Sequence, residues 1–99
     1  AAYEALPERS AAVTYLPGGE YVSAPDGGFA EVLVDETGTA QRVRRVDGLH
    51  LCPEGAARIA EPVFAHLVEQ WNVTVAEDWE TGDWREPPQL AKPEECPAP

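Results

Sequence analysis

Two residues in this sequence have the types and the spacing for acid–base chemistry. Asp47 and His50 stand three positions apart in the stretch from Arg42 to Ala60, RVRRVDGLHLCPEGAARIA. An imidazole can take a proton from a hydroxyl and return it to a leaving group, provided a carboxylate fixes its tautomer and orientation. With the acid three residues before the base, one rigid turn delivers both, and Gly48 allows the tight backbone between them. The plainer alternative is an Asp-Gly turn followed by a surface histidine, a common local arrangement.

The element that must carry this turn on its far side is a helix. From Pro53 to Trp71 the apolar residues Ala56, Ile59, Ala60, Val63, Phe64, Leu67, Val68 and Trp71 recur at three and four, with Arg58, Glu61, Glu69 and Gln70 mostly opposite. This spacing predicts one amphipathic helix lying on a core. Pro53 suits its first position, Glu54 suits the positive end of its dipole, and Pro62 should kink it by removing a backbone donor.

On the near side lie β-prone runs. Phe29 to Val34 and Thr39 to Val46, separated by Asp35-Glu36-Thr37-Gly38, suggest a hairpin or a paired excursion from a larger sheet. Ala11 to Leu16, AAVTYL, reads as a buried strand ending at Pro17-Gly18-Gly19. Gly18 to Gly28 should be a surface loop. Ala2 to Arg9 has the composition for a helix end, interrupted by Pro7. After Trp71 the chain turns to acid, proline and isolated tryptophans, which suggests a flexible tail, yet Trp79, Trp84 and Cys96 are poor residues for a solvated linker.

Bulk composition narrows the function classes. A chain of 99 residues holds at most one small domain and buries only about 60–65% of its unfolded surface, so a sizeable independent core is not expected. A formal charge of −11 with seven Lys plus Arg argues against nucleic acid and against an anionic membrane surface. No apolar run approaches the roughly 20 residues that span a bilayer, and no basic flank leads an apolar stretch at Ala1-Ala2-Tyr3-Glu4. There is no methionine at all, so the segment is expected to begin inside a longer polypeptide. Cys52 and Cys96 lack metal-ligand spacing; they are either two thiols or one bridge, which would contribute about 4 kcal/mol by restricting the unfolded chain.

The stretch Asp47-Gly48-Leu49-His50-Leu51-Cys52-Pro53-Glu54-Gly55 resembles the last conserved block of the SGNH (GDSL-like) hydrolases. That block is a DxxH loop, Asp-Gly-(apolar)-His-(apolar)-x-x-x-Gly, leading into the C-terminal helix; Ala56, Ala57 and Ala60 stand where that helix meets the sheet. The resemblance implies an α/β fold, in which residues 1–71 are the C-terminal portion of a three-layer α/β/α (flavodoxin-like) domain. A mostly parallel sheet with a strand at Ala11 to Leu16, a hairpin-like insertion and an irregular tail at 72–99 complete the expectation. It also implies His50 as general base and then acid, Asp47 as its orienting partner, and no metal or organic cofactor.

The tail extends the resemblance. Trp79-Glu80-Thr81-Gly82-Asp83-Trp84 and Cys96-Pro97 are similar to the W-x-x-G-x-W segment and Cys-Pro that follow the last helix in actinobacterial-looking SGNH domains, including those attached to membrane acyltransferases that modify cell-surface sugars. This implies a Cys52–Cys96 disulfide tying the tail over the domain, in a secreted or cell-surface setting.

The departures are as informative. The GDS-like nucleophile block and the glycine and asparagine that donate to an oxyanion are absent; the only serines are Ser10 and Ser23, and the only asparagine, Asn72, follows the loop. Neither role is assigned to them. The expectation is therefore the Asp–His half of a serine esterase or O-acyltransferase acting on a small-molecule or carbohydrate acyl ester. The nucleophile would lie in the remainder of the domain, and these residues alone would have little or no activity. The competing class is a non-catalytic secreted module that binds carbohydrate or protein.

Other candidates take structural roles. His66 is expected to be a solvated helix histidine. Arg42, Arg44 and Arg45 could meet an anionic substrate, but surface ion pairs are the default. Asn72-Val73-Thr74 matches the weak three-residue N-glycosylation pattern.

Overall fold

A computed structural model describes residues 5, 7, 12–85 and 92–99. Its one sheet among those residues is an antiparallel hairpin of β1 (Val32–Val34) and β2 (Ala40–Arg42), with Val32 opposite Arg42, Leu33 opposite Gln41 and Val34 opposite Ala40. The expected hairpin forms, with shorter strands than the apolar runs. Its turn is built by Asp35, whose Oδ1 accepts from the Thr37 N–H (2.8 Å), the Thr39 N–H (2.9 Å) and the Thr37 hydroxyl (2.7 Å). Gly38 supplies the left-handed residue (φ 84°) that brings the chain back. These hydrogen bonds, the Thr37 hydroxyl first, hold the Asp35 carboxyl below its ordinary value.

Helix α1 runs from Pro53 to Trp71, the span that the periodicity predicts, and continues as helix through Pro62. Pro53 occupies the first turn, where its missing N–H costs nothing. At the other end Asn72 adopts the left-handed conformation (φ 51°) and donates its N–H to the Val68 carbonyl (3.0 Å). Capping is thus the role the structure gives Asn72.

The core is small and sits under the start of α1. Among the described residues its buried apolar members are Val22, Ala30, Val43, Cys52 and Ala57, joined by Gly55. A Cβ on Gly55 would press into the Val43 carbonyl oxygen, so glycine lets the first turn of α1 lie directly on the chain leaving β2. Towards its end the predicted apolar face is uncovered: Val68 is 42% and Trp71 65% exposed.

Two expectations need correcting. The strand over Ala11 to Leu16 does not form: Ala11 lies outside the described residues, and 12–16 belong to no strand. A strand exists only through a neighbour, and no other strand is paired to this segment among the described residues, so Val13 and Tyr15 stay more than one third exposed. The Gly18–Gly28 loop is partly ordered instead. Gly18–Val22 forms a short 3₁₀ helix that brings Val22 into the core and lies against α1 near Ile59. The helix end expected over Ala2 to Arg9 falls almost wholly outside the described residues.

Beyond α1 the tail docks on the molecule. Trp79 meets Phe64 of α1 edge-on (4.7 Å between ring centroids) and stacks on Trp84 (6.5 Å), whose indole N–H donates to the Trp79 carbonyl. Arg85 pairs with Glu54 on the first turn of α1. The two indoles therefore act as packing residues rather than as an open stacking surface. Farther on, Cys96 is joined to Cys52 by the disulfide that the resemblance implies.

Candidate active site

The Asp47–His50 turn lies between the end of the hairpin and α1, and the backbone on both sides fixes it. An antiparallel bridge joins Arg44 to Leu51. The Arg45 N–H donates to the His50 carbonyl (2.8 Å), and the Gly48 N–H returns to the Arg45 carbonyl (2.8 Å) with Gly48 at φ 73°. The turn is thus a tight loop closed across its base, and the positive φ is the physical reason for glycine between acid and base.

Within it Asp47 holds the loop and the ring together. Its Oδ1 accepts from the backbone N–H groups of Leu49 (2.8 Å) and His50 (3.0 Å), while Oδ2 lies 2.7 Å from His50 Nδ1. These contacts favour the ionised carboxyl and bring its pKa down from the ordinary 3.8 to about 2, the His50 ring contact being the largest cause and the two N–H donors next. An ionised Asp47 makes Nδ1 the protonated nitrogen of a neutral ring. Nε2, on the opposite side, then carries the lone pair and has no hydrogen-bond partner among the described residues. His50 is 61% exposed at its side chain, so Nε2 is open to a reacting group.

Both residues singled out from the sequence are therefore brought together. The three neighbouring arginines are spent otherwise: Arg44 donates to the Leu49 carbonyl (2.9 Å), Arg45 pairs with Glu95 (2.9 Å), and Arg42 lies 3.7 Å from Glu31. Ion pairing is borne out for Arg42 and Arg45. His66 is half-buried with its ring edge-on to Trp71 (5.8 Å), away from the dyad, and so is less solvated than expected.

Two features were not legible beforehand. Phe29, read only as the start of a strand, is 62% exposed, and its ring tip lies 3.8 Å from where a Cβ on Gly48 would be; with Val46 and Leu49 it gives the turn an open apolar border. The second is Glu95, whose carbonyl accepts the Val46 N–H (3.0 Å) beside its Arg45 pair. Its neighbour Cys96 was the one available signal, since a bridge to Cys52 brings residue 95 beside the turn.

Among the described residues no serine joins this constellation. Ser23 donates its hydroxyl to the Gly19 carbonyl (2.6 Å) in the 3₁₀ turn, and Ser10 lies outside the described residues. The described residues contain no cluster of His, Cys, Asp and Glu able to hold a metal, and no helix long and apolar enough to cross a membrane.

Between the hairpin and α1 the chain thus holds a tight turn in which an aspartate is hydrogen-bonded to a histidine ring. The chain belongs to the DUF459 family, described as proteins of unknown function, whose sequence model matches residues 1–66. The match takes in the hairpin, the Asp47–His50 turn and most of α1, and stops before Trp79, Trp84 and Cys96. Comparison with curated proteins and with solved structures gave no match.

Proposed function

We propose that this chain supplies the Asp–His half of a Ser-His-Asp triad in an SGNH-type serine esterase or O-acyltransferase, with the serine and oxyanion donors contributed from outside these 99 residues. The observation that carries the reading is the 2.7 Å contact from His50 Nδ1 to Asp47, which leaves Nε2 exposed and unpartnered among the described residues. In this role His50 Nε2 takes the serine hydroxyl proton as the oxygen attacks the acyl carbonyl. Asp47 stabilises the imidazolium through Nδ1–H, and Nε2 gives the proton to the departing alcohol. Water or an acceptor hydroxyl then removes the acyl group by the same proton path in reverse.

The parent domain in this proposal is a three-layer α/β/α fold with a mostly parallel sheet, of which the hairpin is an insertion and α1 the closing helix. Open α/β sheets place their sites beyond the carboxyl ends of the strands, where a loop entering the last helix would stand. The disulfide supports an oxidising, extracytoplasmic setting, and with it acyl esters of carbohydrates or the cell envelope as substrates.

The test is active-serine labelling with a fluorophosphonate probe on the full-length parent, comparing the wild type with His50→Ala and Asp47→Asn. Labelling lost in His50→Ala and weakened in Asp47→Asn is the expected result. A parent that never labels would discard the enzyme and leave the non-catalytic binding module as the reading.

A further inference from the structure

The Asp47–His50 turn is held from outside by the last residues of the chain, and Glu95 makes both contacts that matter. Its carbonyl accepts the N–H of Val46, the residue before Asp47, at 3.0 Å. Its carboxylate pairs with Arg45 at 2.9 Å, and both partners are largely covered, with side chains 21% and 32% exposed. Arg45 is the base of the turn: its N–H reaches the His50 carbonyl, its own carbonyl accepts the Gly48 N–H, and its Nε donates to the Leu51 carbonyl (3.2 Å). Two further links fix the same segment. Cys96 is bonded to Cys52 at the start of α1, and the Pro97 carbonyl accepts from Arg42 Nε (2.8 Å) at the end of β2.

We infer that Glu95 is a positioning residue for the dyad: the segment 92–97 is a brace that sets the Asp47–His50 geometry through Val46 and Arg45, with the disulfide holding the brace in place. Apart from its own hydrogen bonds the turn gains no rigidity from core packing, since Val46 and Leu49 are 60% and 70% exposed and no core residue lies between Asp47 and His50. A tight turn of exposed residues is stabilised mainly by its hydrogen bonds, so removing the external ones lets acid and base drift apart. This deepens the catalytic proposal above, but the geometry it concerns can be read without any serine.

The experiment is NMR titration of Asp47 and of the His50 ring nitrogens in the full chain, as wild type, Glu95→Ala, Glu95→Gln and Cys96→Ser, with circular dichroism recorded alongside. Asp47 with its His50 and Leu49 contacts intact should titrate at about 2 in the wild type. In Glu95→Ala its midpoint should rise by about one unit as its hydrogen bonds loosen, with the Nδ1 proton signal broadened or lost, and Glu95→Gln should recover part of both. Cys96→Ser, which frees the carbonyl contact as well, should move them further. An Asp47 midpoint and a His50 Nδ1 signal that stay at wild-type values in a folded Glu95→Ala chain would overturn the brace. If Cys96→Ser fails to fold, the two Glu95 variants alone decide. Fluorophosphonate labelling separates the two proposals, because a parent without active serine can still show the titration shift.

Discussion

Asp47 holds His50 twice, with Oδ1 on its backbone N–H and Oδ2 on its ring Nδ1, at 3.0 and 2.7 Å. One carboxylate thereby fixes both where the histidine is and which way its ring points. The first prediction concerns the pH range over which this arrangement contributes to folding. Asp47 has a folded pKa of about 2 against an ordinary 3.8. Above pH 3.8 it is ionised in the folded and the unfolded chain alike, and its contribution is complete. As pH falls from 3.8 to about 2, the unfolded chain takes up a proton that the folded chain refuses, so stability declines across that window. Denaturant midpoints measured between pH 5 and pH 2 should show this decline, and Asp47→Asn should remove its share of it.

Gly55→Ala tests the seat of α1. The added methyl would meet the Val43 carbonyl oxygen, a backbone atom that cannot rotate away. Overpacking of this kind costs about 1–3 kcal/mol. Urea unfolding should show that loss, whereas Gly19→Ala, which has nothing within contact distance, should leave the midpoint almost unchanged.

Reducing the disulfide should be more damaging than either. Cys52 and Cys96 are 44 residues apart, and releasing a loop of that length forfeits about 4 kcal/mol of restriction on the unfolded chain. With so few buried side chains to compensate, most of the cooperative transition should disappear in a dithiol reductant, as followed by thermal circular dichroism.

Trp79→Ala should detach the middle of the tail. Its ring meets Phe64 and Trp84, and the half-buried indole contributes about 2 kcal/mol through apolar burial and edge contact together. The expected readouts are a red shift of the emission from Trp84 and faster amide exchange in residues 79–85, with the Asp47 titration unchanged.

Local signals were sufficient for α1, the hairpin and the turn. A periodicity of three and four marked the helix from Pro53 to Trp71 without a register to choose, and Asp35 with Gly38 specified a turn from neighbouring residues alone. The proximity of Asp47 to His50 was legible for the same reason: three residues with a glycine among them leave few places for the ring to go. The bridge from Cys52 to Cys96 was legible only through resemblance, since spacing left paired and unpaired cysteines equally open.

Long-range packing decided the rest. AAVTYL has the composition of a strand, but composition cannot provide a neighbouring strand, and residues 12–16 remain outside any sheet. A glycine-rich loop became a 3₁₀ turn because Val22 could be buried beneath α1, an energetic gain that exists only once the helix is in place. Glu95 reaches Arg45 across 50 residues of chain. The pairing of Asp47 with His50 and the helix behind it follow from the order of residues alone, because those interactions close over a few positions. What touches that turn from outside is set by long-range packing, because Glu95 meets Val46 and Arg45 from some 50 residues away.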